Sequence, residues 1–161
     1  MIEAPARRRS TRRSVVIYTD GACEPNPGAG GWAAVIVDQE QVRELSGGER
    51  DTTNNRMELT AAISALGSLD APTVVDLYTD SRYLQQGITL WLPNWQARGW
   101  RRSDNQPVLN VDLWQTLSRL VQLHDVSWHW LKGHSGHPQN ERANRLASQA
   151  MSRHKRRSHS P

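Results

Sequence analysis

The sequence predicts an α/β domain, a mixed sheet with helices on its faces, and three observations carry that prediction. Short apolar runs rich in β-branched residues are interleaved with longer stretches whose apolar residues recur at helical spacing. Their order, β-β-β-α-β-α-α-β-α, places three strands first and then alternates strands with helices. The chain has 161 residues, one domain's worth and enough to bury a core.

Taken in order, Val15–Thr19 is the first strand, and the stretch from Gly21 to Gly31 is a loop dense in turn formers. Trp32–Val37 is the second strand, and Gln41–Ser46 pairs with it as a hairpin through Asp38–Glu40, with Gly47-Gly48 ending the meander. Apolar residues at 57, 59, 62, 63 and 66 mark a helix face over Met57–Leu69, whose start Asn54 or Asn55 can cap. Val74–Tyr78 lacks alternation and reads as a strand buried on both sides. Ser81 caps a short helix to about Gly87, and Val111–Leu123 is a second amphipathic helix. Val126–Leu131 alternates Val126, Trp128 and Trp130 with Ser127 and His129 as the fifth strand. Pro138 then opens the last helix, continued by Glu141–Met151 with Ala143, Leu146, Ala147 and Ala150. Of the seven Trp residues, Trp32, Trp114, Trp128 and Trp130 read as core, and Phe is absent.

Composition excludes several classes. No run of about 18 apolar residues is present, so no membrane span is expected. The basic start lacks an apolar core segment, so a secretory signal is not expected either. One cysteine, Cys23, rules out an internal disulfide framework and suits a reducing cytoplasm. The net charge of +4 is uneven: residues 1–14 hold five Arg against Glu3, and residues 151–161 hold Arg153, Lys155, Arg156 and Arg157. Residues 15–150 are left with 11 basic and 15 acidic side chains. The terminal arms, 1–14 and 152–161, cannot build a core and are expected to be disordered. They read either as salt-sensitive aids to polyanion binding or as solvated, solubilising ends.

Two strands end alike, in Tyr18-Thr19-Asp20 and in Tyr78-Thr79-Asp80. A carboxylate at the end of a core strand is costly to desolvate unless a cation or a hydrogen-bond network meets it. With Glu58, inside the Thr52–Leu59 stretch, these acids predict a cluster that needs divalent metal. Such a cluster suits phosphodiester cleavage, in which water attacks an anionic phosphate and an alkoxide must leave. Two metal ions roughly 3.5–4 Å apart can activate the water and stabilise the leaving oxygen together. Hard cations such as Mg²⁺ take oxygen ligands from a few carboxylates and fill their shells with water and phosphate. The plainer reading makes each acid a helix cap or a partner of Arg56 or Arg82, and it leaves the grouping of three without a purpose.

Four strings carry a family resemblance: Tyr18 to Gly31 (YTDGACEPNPGAGG), Thr52 to Leu59 (TTNNRMEL), Thr79 to Tyr83 (TDSRY) and Lys132 to Ala143 (KGHSGHPQNERA). In that order, from about Val15 to Met151, the chain resembles type 1 ribonuclease H of the bacterial subgroup with a basic protrusion. The resemblance implies the ribonuclease H-like fold, a five-stranded mixed sheet with strands 1 to 3 antiparallel and helices on both faces. It implies a catalytic domain over 15–151 and a protrusion over 91–110. It also implies endonucleolytic cleavage of the RNA strand of an RNA–DNA hybrid, leaving 3′-hydroxyl and 5′-phosphate ends. Mg²⁺ would be the cofactor, two ions per site with substrate bound, and Mn²⁺ able to substitute.

By the same resemblance Asp20 and Asp80 ligate metal, and Glu58 binds one metal and touches the substrate 2′-hydroxyl. His134, between Gly133 and Gly136, takes the family's place for proton transfer or product release, and His137 fixes the last helix start. The family's fourth carboxylate falls on Asn144, which offers a carbonyl oxygen without charge. Weaker binding of one metal is the expectation, with Glu141 three residues earlier on the same helical face as an indirect aid. Two readings stay open here, an active variant and a hybrid-binding form silenced by natural or engineered substitution.

Hybrid recognition requires detecting a 2′-hydroxyl on one strand and its absence on the other. Cys23 and Asn26, with their backbone amides beside Asp20, are placed to read the RNA strand, and Gln86 is a further candidate. The resemblance puts Asn54 in the minor groove near the RNA and Asn55 towards the DNA, and pairs Thr53 with Asn94 as a pocket for a DNA phosphate. Residues 91–102 interleave Trp91, Trp95 and Trp100 with Arg98, Arg101 and Arg102, similar to the family's basic protrusion. Trp95 is the ring expected to stack on a DNA sugar, and one or two of the others to form a small core beneath. A DNA-cleaving member of the same broad fold and a plain structural domain are the remaining alternatives. No obligatory protein partner is implied, a separate amino-terminal hybrid-binding domain has no room, and a monomer is expected.

Overall fold

The computed structural model describes residues 13–132 and 136–155. A five-stranded sheet in the order β3-β2-β1-β4-β5 forms its centre. The strands are β1 (Ser14–Cys23), β2 (Gly28–Asp38), β3 (Gln41–Thr52), β4 (Val74–Thr79) and β5 (Asp125–Trp130). The first three are antiparallel, while β4 runs parallel to both β1 and β5. The helices are α1 (Asn54–Gly67), α2 (Arg82–Gln86), α3 (Leu92–Ala97), α4 (Val111–Leu123) and α5 (Pro138–His154). None is long and apolar enough to cross a membrane.

The two faces of the sheet are packed differently. Alternate residues of a strand point to opposite sides, and Val15, Ile17, Ala34, Ile36, Val75 and Leu77 face α1 and α4. There they bury Leu59, Ala62, Leu66, Trp114 and Leu117 in one apolar core. The other face holds a thinner layer, in which Tyr18 and Val35 meet Ala143 and Leu146 of α5. Small residues let α5 lie almost on the sheet: a Cβ at Gly31 would stand 2.2 Å from the Ala147 carbonyl oxygen. An ion pair from Arg142 to Glu44 of β3 fastens the same helix.

Several expectations need correction. β1 and β2 extend through the glycine-rich stretch, so the turn shrinks to Glu24–Pro27. β3 continues past Gly47-Gly48 to Thr52. Those glycines are strand residues, because the Trp32 indole lies where a Gly47 side chain would be, 2.8 Å from its Cβ position. β4 is not buried equally on both faces: Val75, Leu77 and Thr79 are buried, whereas Val74, Asp76 and Tyr78 are only half-buried. Trp32, Trp128 and Trp130 are half-buried rather than core, and Trp114 is fully enclosed.

The helix starting at Arg82 does not stop at Gly87. It widens into a π-helical turn over Gly87–Trp91, with the Leu92 amide donating to the Gly87 carbonyl, and continues as α3. Gly87 is required for packing, since a Cβ there would fall 2.0 Å from the Trp114 ring. Thr53, not Asn54 or Asn55, caps α1, its hydroxyl accepting from the Arg56 amide at 3.2 Å. Ser81 caps α2 as expected, accepting from the Leu84 amide at 3.1 Å.

Candidate active site

Three acids converge where β1, β4 and α1 meet. Asp20 lies within β1, Asp80 follows the last residue of β4, and Glu58 sits in the second turn of α1. Their ligand oxygens all lie within 4.8 Å of one another. Glycine makes this approach possible, because a Cβ at Gly21 would stand 2.7 Å from the Glu58 backbone nitrogen. Asp20 and Glu58 are 5 % and 4 % exposed, so water does little to screen their mutual repulsion.

The electrostatic consequence falls on Glu58. Burial first, and then the charges of Asp20 and Asp80, raise its carboxyl well above the ordinary carboxylate range, while Ser81 opposes the shift through a hydrogen bond. Among the described residues its Oε1 is a buried acceptor with no hydrogen-bond partner. Arg56 does not neutralise the group, since its guanidinium is held by Asp112 at 2.9 Å and Asn110 at 3.2 Å. A compact divalent cation with oxygen ligands fits such a set, satisfying the orphaned oxygen and offsetting the repulsion.

Asn144 projects from α5 to the same point, its Nδ2 donating to Asp20 Oδ2 at 2.8 Å. Gly21 donates its amide to the other Asp20 oxygen at 2.8 Å. The fourth position therefore joins the three acids, contributing an amide where the resemblance places a carboxylate. Asn144 also lines a cleft of about 240 Å³ with Asp80, Asn140, Glu141 and Arg145, which brings Glu141 beside the cluster.

An open depression of about 380 Å³ is lined by Asp20, Glu58 and Asp80 together with Asn54, Asn55 and Tyr83. The structure thus gathers the two expected groove-reading asparagines around the acids. Asn26 reaches this region indirectly, its Oδ1 accepting from the Asn54 amide at 3.1 Å. The Cys23 thiol turns inward, 3.4–3.6 Å from the carbonyl oxygens of Pro25, Gly28 and Thr52. Burial keeps that thiol raised and protonated. Thr53 lines a separate cleft with Arg56 and Gly28. Gln86 is exposed at the end of α2. His134 lies outside the described residues, as do residues 1–12 and 156–161 of the basic arms.

Beyond the acids, Asn94, Trp95, Arg98, Arg101 and Arg102 line a cavity of about 530 Å³ with Tyr83 and Trp91. Trp95 packs edge-on against Trp114 at 5.4 Å and beside Trp91 at 5.6 Å. Trp100 is half-buried against the core. Asn94 lines this cavity and Thr53 the cleft beside Arg56.

The RNase H family model matches residues 12–152. The chain belongs to the RNase H family. It is 57 % identical over 139 residues to a ribonuclease H from Cupriavidus pinatubonensis, covering 86 % of this chain and 96 % of that protein. A ribonuclease H from Agrobacterium fabrum is 58 % identical over 145 residues, covering 90 % and 99 %. The crystal structure of LC9-RNase H1, described as a type 1 RNase H with the type 2 active-site motif, superimposes with a TM-score of 0.80 at 34 % identity, covering 89 % of this chain and 74 % of that one. LC11-RNase H1, solved in complex with an RNA/DNA hybrid, shares the fold at a TM-score of 0.66 and 22 % identity, covering 86 % of this chain and 97 % of that one. Membership makes the chain a nuclease, and its acid cluster is compatible with metal-dependent RNA hydrolysis.

The side chains that frame the site lie outside the residues expected to act in it. Arg56 ties the start of α1 to the start of α4 through Asp112 and Asn110, and Asn110 donates to the Tyr83 hydroxyl at 3.0 Å. Tyr18 and Tyr78 stack beneath the aspartates. Only the repeated Tyr-Thr-Asp pointed to the latter, and nothing in the sequence pointed to the former.

Proposed function

We propose that this RNase H-family chain hydrolyses the RNA strand of RNA–DNA hybrids with two divalent ions bound at Asp20, Glu58, Asp80 and Asn144. Mg²⁺ is the expected ion and Mn²⁺ an effective substitute, since all four groups offer hard oxygen ligands. The observation that carries the reading is the convergence of three carboxylates, with a buried, unpartnered Glu58 oxygen at their centre. When bound, the ions supply an activated water and stabilise the leaving 3′-oxygen. Asp20 fixes the place of that charge from within β1 and Asp80 from the end of β4, and Glu58 adds a ligand from α1. Asn54 and Asn55 stand at the rim of the same depression, where the minor groove of a hybrid lies against the acids.

The arginines and tryptophans of the second cavity support a holding role, with cationic side chains for phosphates and Trp95 for a sugar face. His134, between glycines, is assigned proton transfer or product release. The arms add nonspecific affinity at low salt. The domain works as a cytoplasmic monomer.

A form silenced at Asn144 is the second reading. Asn144 still presents a carbonyl oxygen and is seated on Asp20, and LC9-RNase H1 illustrates that the active-site motif varies among type 1 enzymes. Both favour retained activity. Cleavage of a labelled RNA–DNA hybrid, beside DNA duplex and RNA duplex controls, tests the proposal. Metal-dependent cuts confined to the RNA strand of the hybrid are expected, and cleavage of the DNA duplex instead would overturn it.

A further inference from the structure

The Tyr-Thr-Asp tripeptide occurs twice, and the acid cluster uses only its aspartates. In the parallel pairing of β1 with β4, Tyr18 stands opposite Tyr78, and Tyr78 stands opposite His129 of β5. The rings follow this register. Tyr18 and Tyr78 stack at 5.0 Å with 20° between planes, and Tyr78 and His129 at 4.4 Å with 14°. His137, the residue before α5, sets its ring 4.8 Å from Tyr18, with Nε2 3.4 Å from the phenol oxygen. At the other end, His129 Nε2 lies 2.8 Å from Asp76 Oδ1, so the outermost ring is fastened as well.

Strand geometry connects this row to the acids. Residues two apart share a face, so Tyr18 lies directly below Asp20, and Tyr78 directly below Asp80 at the end of β4. Neighbouring strands are about 4.8 Å apart, and rings stacked at 4.4–5.0 Å fill that interval without slack. The opposite face at the same level carries Ile17, Leu77, Thr19 and Thr79, with Trp128 and Trp130 of β5 beside Leu77 and Thr79 and Trp114 in the core they cover.

We propose that the Tyr18–Tyr78 stack, buttressed by His129 and His137, is a positioning platform for the acid cluster. It fixes the lateral separation of Asp20 and Asp80 against their mutual repulsion. Through His137 it also sets where α5 begins, and hence where Asn144 meets Asp20. Neither tyrosine touches a reacting atom; both act through the aspartates two residues on. The proposal rests on the reading of the cluster as the metal site.

The test replaces the central ring in the full chain. Mn²⁺ binding is followed by electron paramagnetic resonance without substrate, and kcat and KM are measured on a hybrid at a temperature where each variant is folded. Tyr78→Leu is expected to lower Mn²⁺ affinity and kcat by about 10–100-fold, the range for groups that orient metal ligands, with KM unchanged. Tyr78→Phe, which keeps the ring, is expected to restore both. Should Tyr78→Leu not fold, Tyr78→Met replaces it under the same criteria. A ringless variant that loses thermal stability yet binds Mn²⁺ and turns over like the parent would overturn the platform. So would a Tyr78→Phe variant as impaired as Tyr78→Leu. Because Mn²⁺ binding is read without substrate, a parent chain that binds Mn²⁺ but leaves hybrids intact would sink the functional reading and not this one.

Discussion

The acid cluster and the arginine-lined cavity are two openings of comparable size with opposite electrostatics. In the first, three carboxylates are confined within 4.8 Å, two of them almost fully buried. In the second, Arg98, Arg101 and Arg102 are exposed around a wall of Tyr83, Trp91 and Trp95. Buried like charges are unfavourable until a cation arrives, whereas exposed arginines are hydrated and screened when nothing is bound. On the proposed reading, one region holds a compact ion and acts on a bond, and the other holds an extended polyanion. Their defects should differ in kind.

The largest effect separates them directly. Asp80→Asn should lower cleavage by about 10³-fold or more while hybrid binding, read by anisotropy, is retained. Residual turnover within tenfold of the parent would mean that the cluster is not the seat of chemistry. Next, Trp114→Ala removes the ring beneath the second cavity, where Trp114 donates to the Tyr83 hydroxyl at 3.0 Å. Denaturant unfolding should show a loss of about 3–5 kcal/mol, with Mn²⁺ binding by the folded fraction unaltered.

Replacing Arg98, Arg101 and Arg102 together by Ala should weaken hybrid binding and reduce the slope of log K against log salt by about 2–3. If kcat fell while that slope stayed the same, the division of labour would be wrong.

The smallest effect is on stability. The folded-state pKa of Glu58 is raised, so its folded form holds a proton that the unfolded chain releases at lower pH. Its contribution is fully present below the ordinary carboxylate pKa and is lost as pH rises through the raised value. Thermal unfolding of metal-free protein should show this decline, Glu58→Gln should abolish it, and saturating Mg²⁺ should offset it by displacing the proton.

Much of this was legible in the sequence because periodicity and caps are local. Val111–Leu123 matches α4 residue for residue, Ser81 caps α2, and Pro138 opens α5. The errors cluster where glycine serves packing. Gly47 and Gly87 read as breaks, yet each is a place where an indole of another element lies against the backbone, and that contact is invisible along the chain. The lack of alternation over Val74–Tyr78 made β4 seem buried on both faces, yet Val74, Asp76 and Tyr78 on one face are only half-buried. At the site, the acids were legible through their strings. The inward-turned Cys23 thiol was not, since side-chain direction depends on tertiary contacts.

On the proposed reading, two buried acids, a half-buried third and one neutral amide suffice for metal-dependent RNA cleavage. The most direct test is a Mg²⁺ titration of RNA-strand cleavage in a labelled hybrid, comparing the parent chain with Asn144→Asp. Both are expected to cut, with the parent requiring more Mg²⁺ for half-maximal rate. Cleavage by Asn144→Asp alone, at every Mg²⁺ concentration, would contradict it.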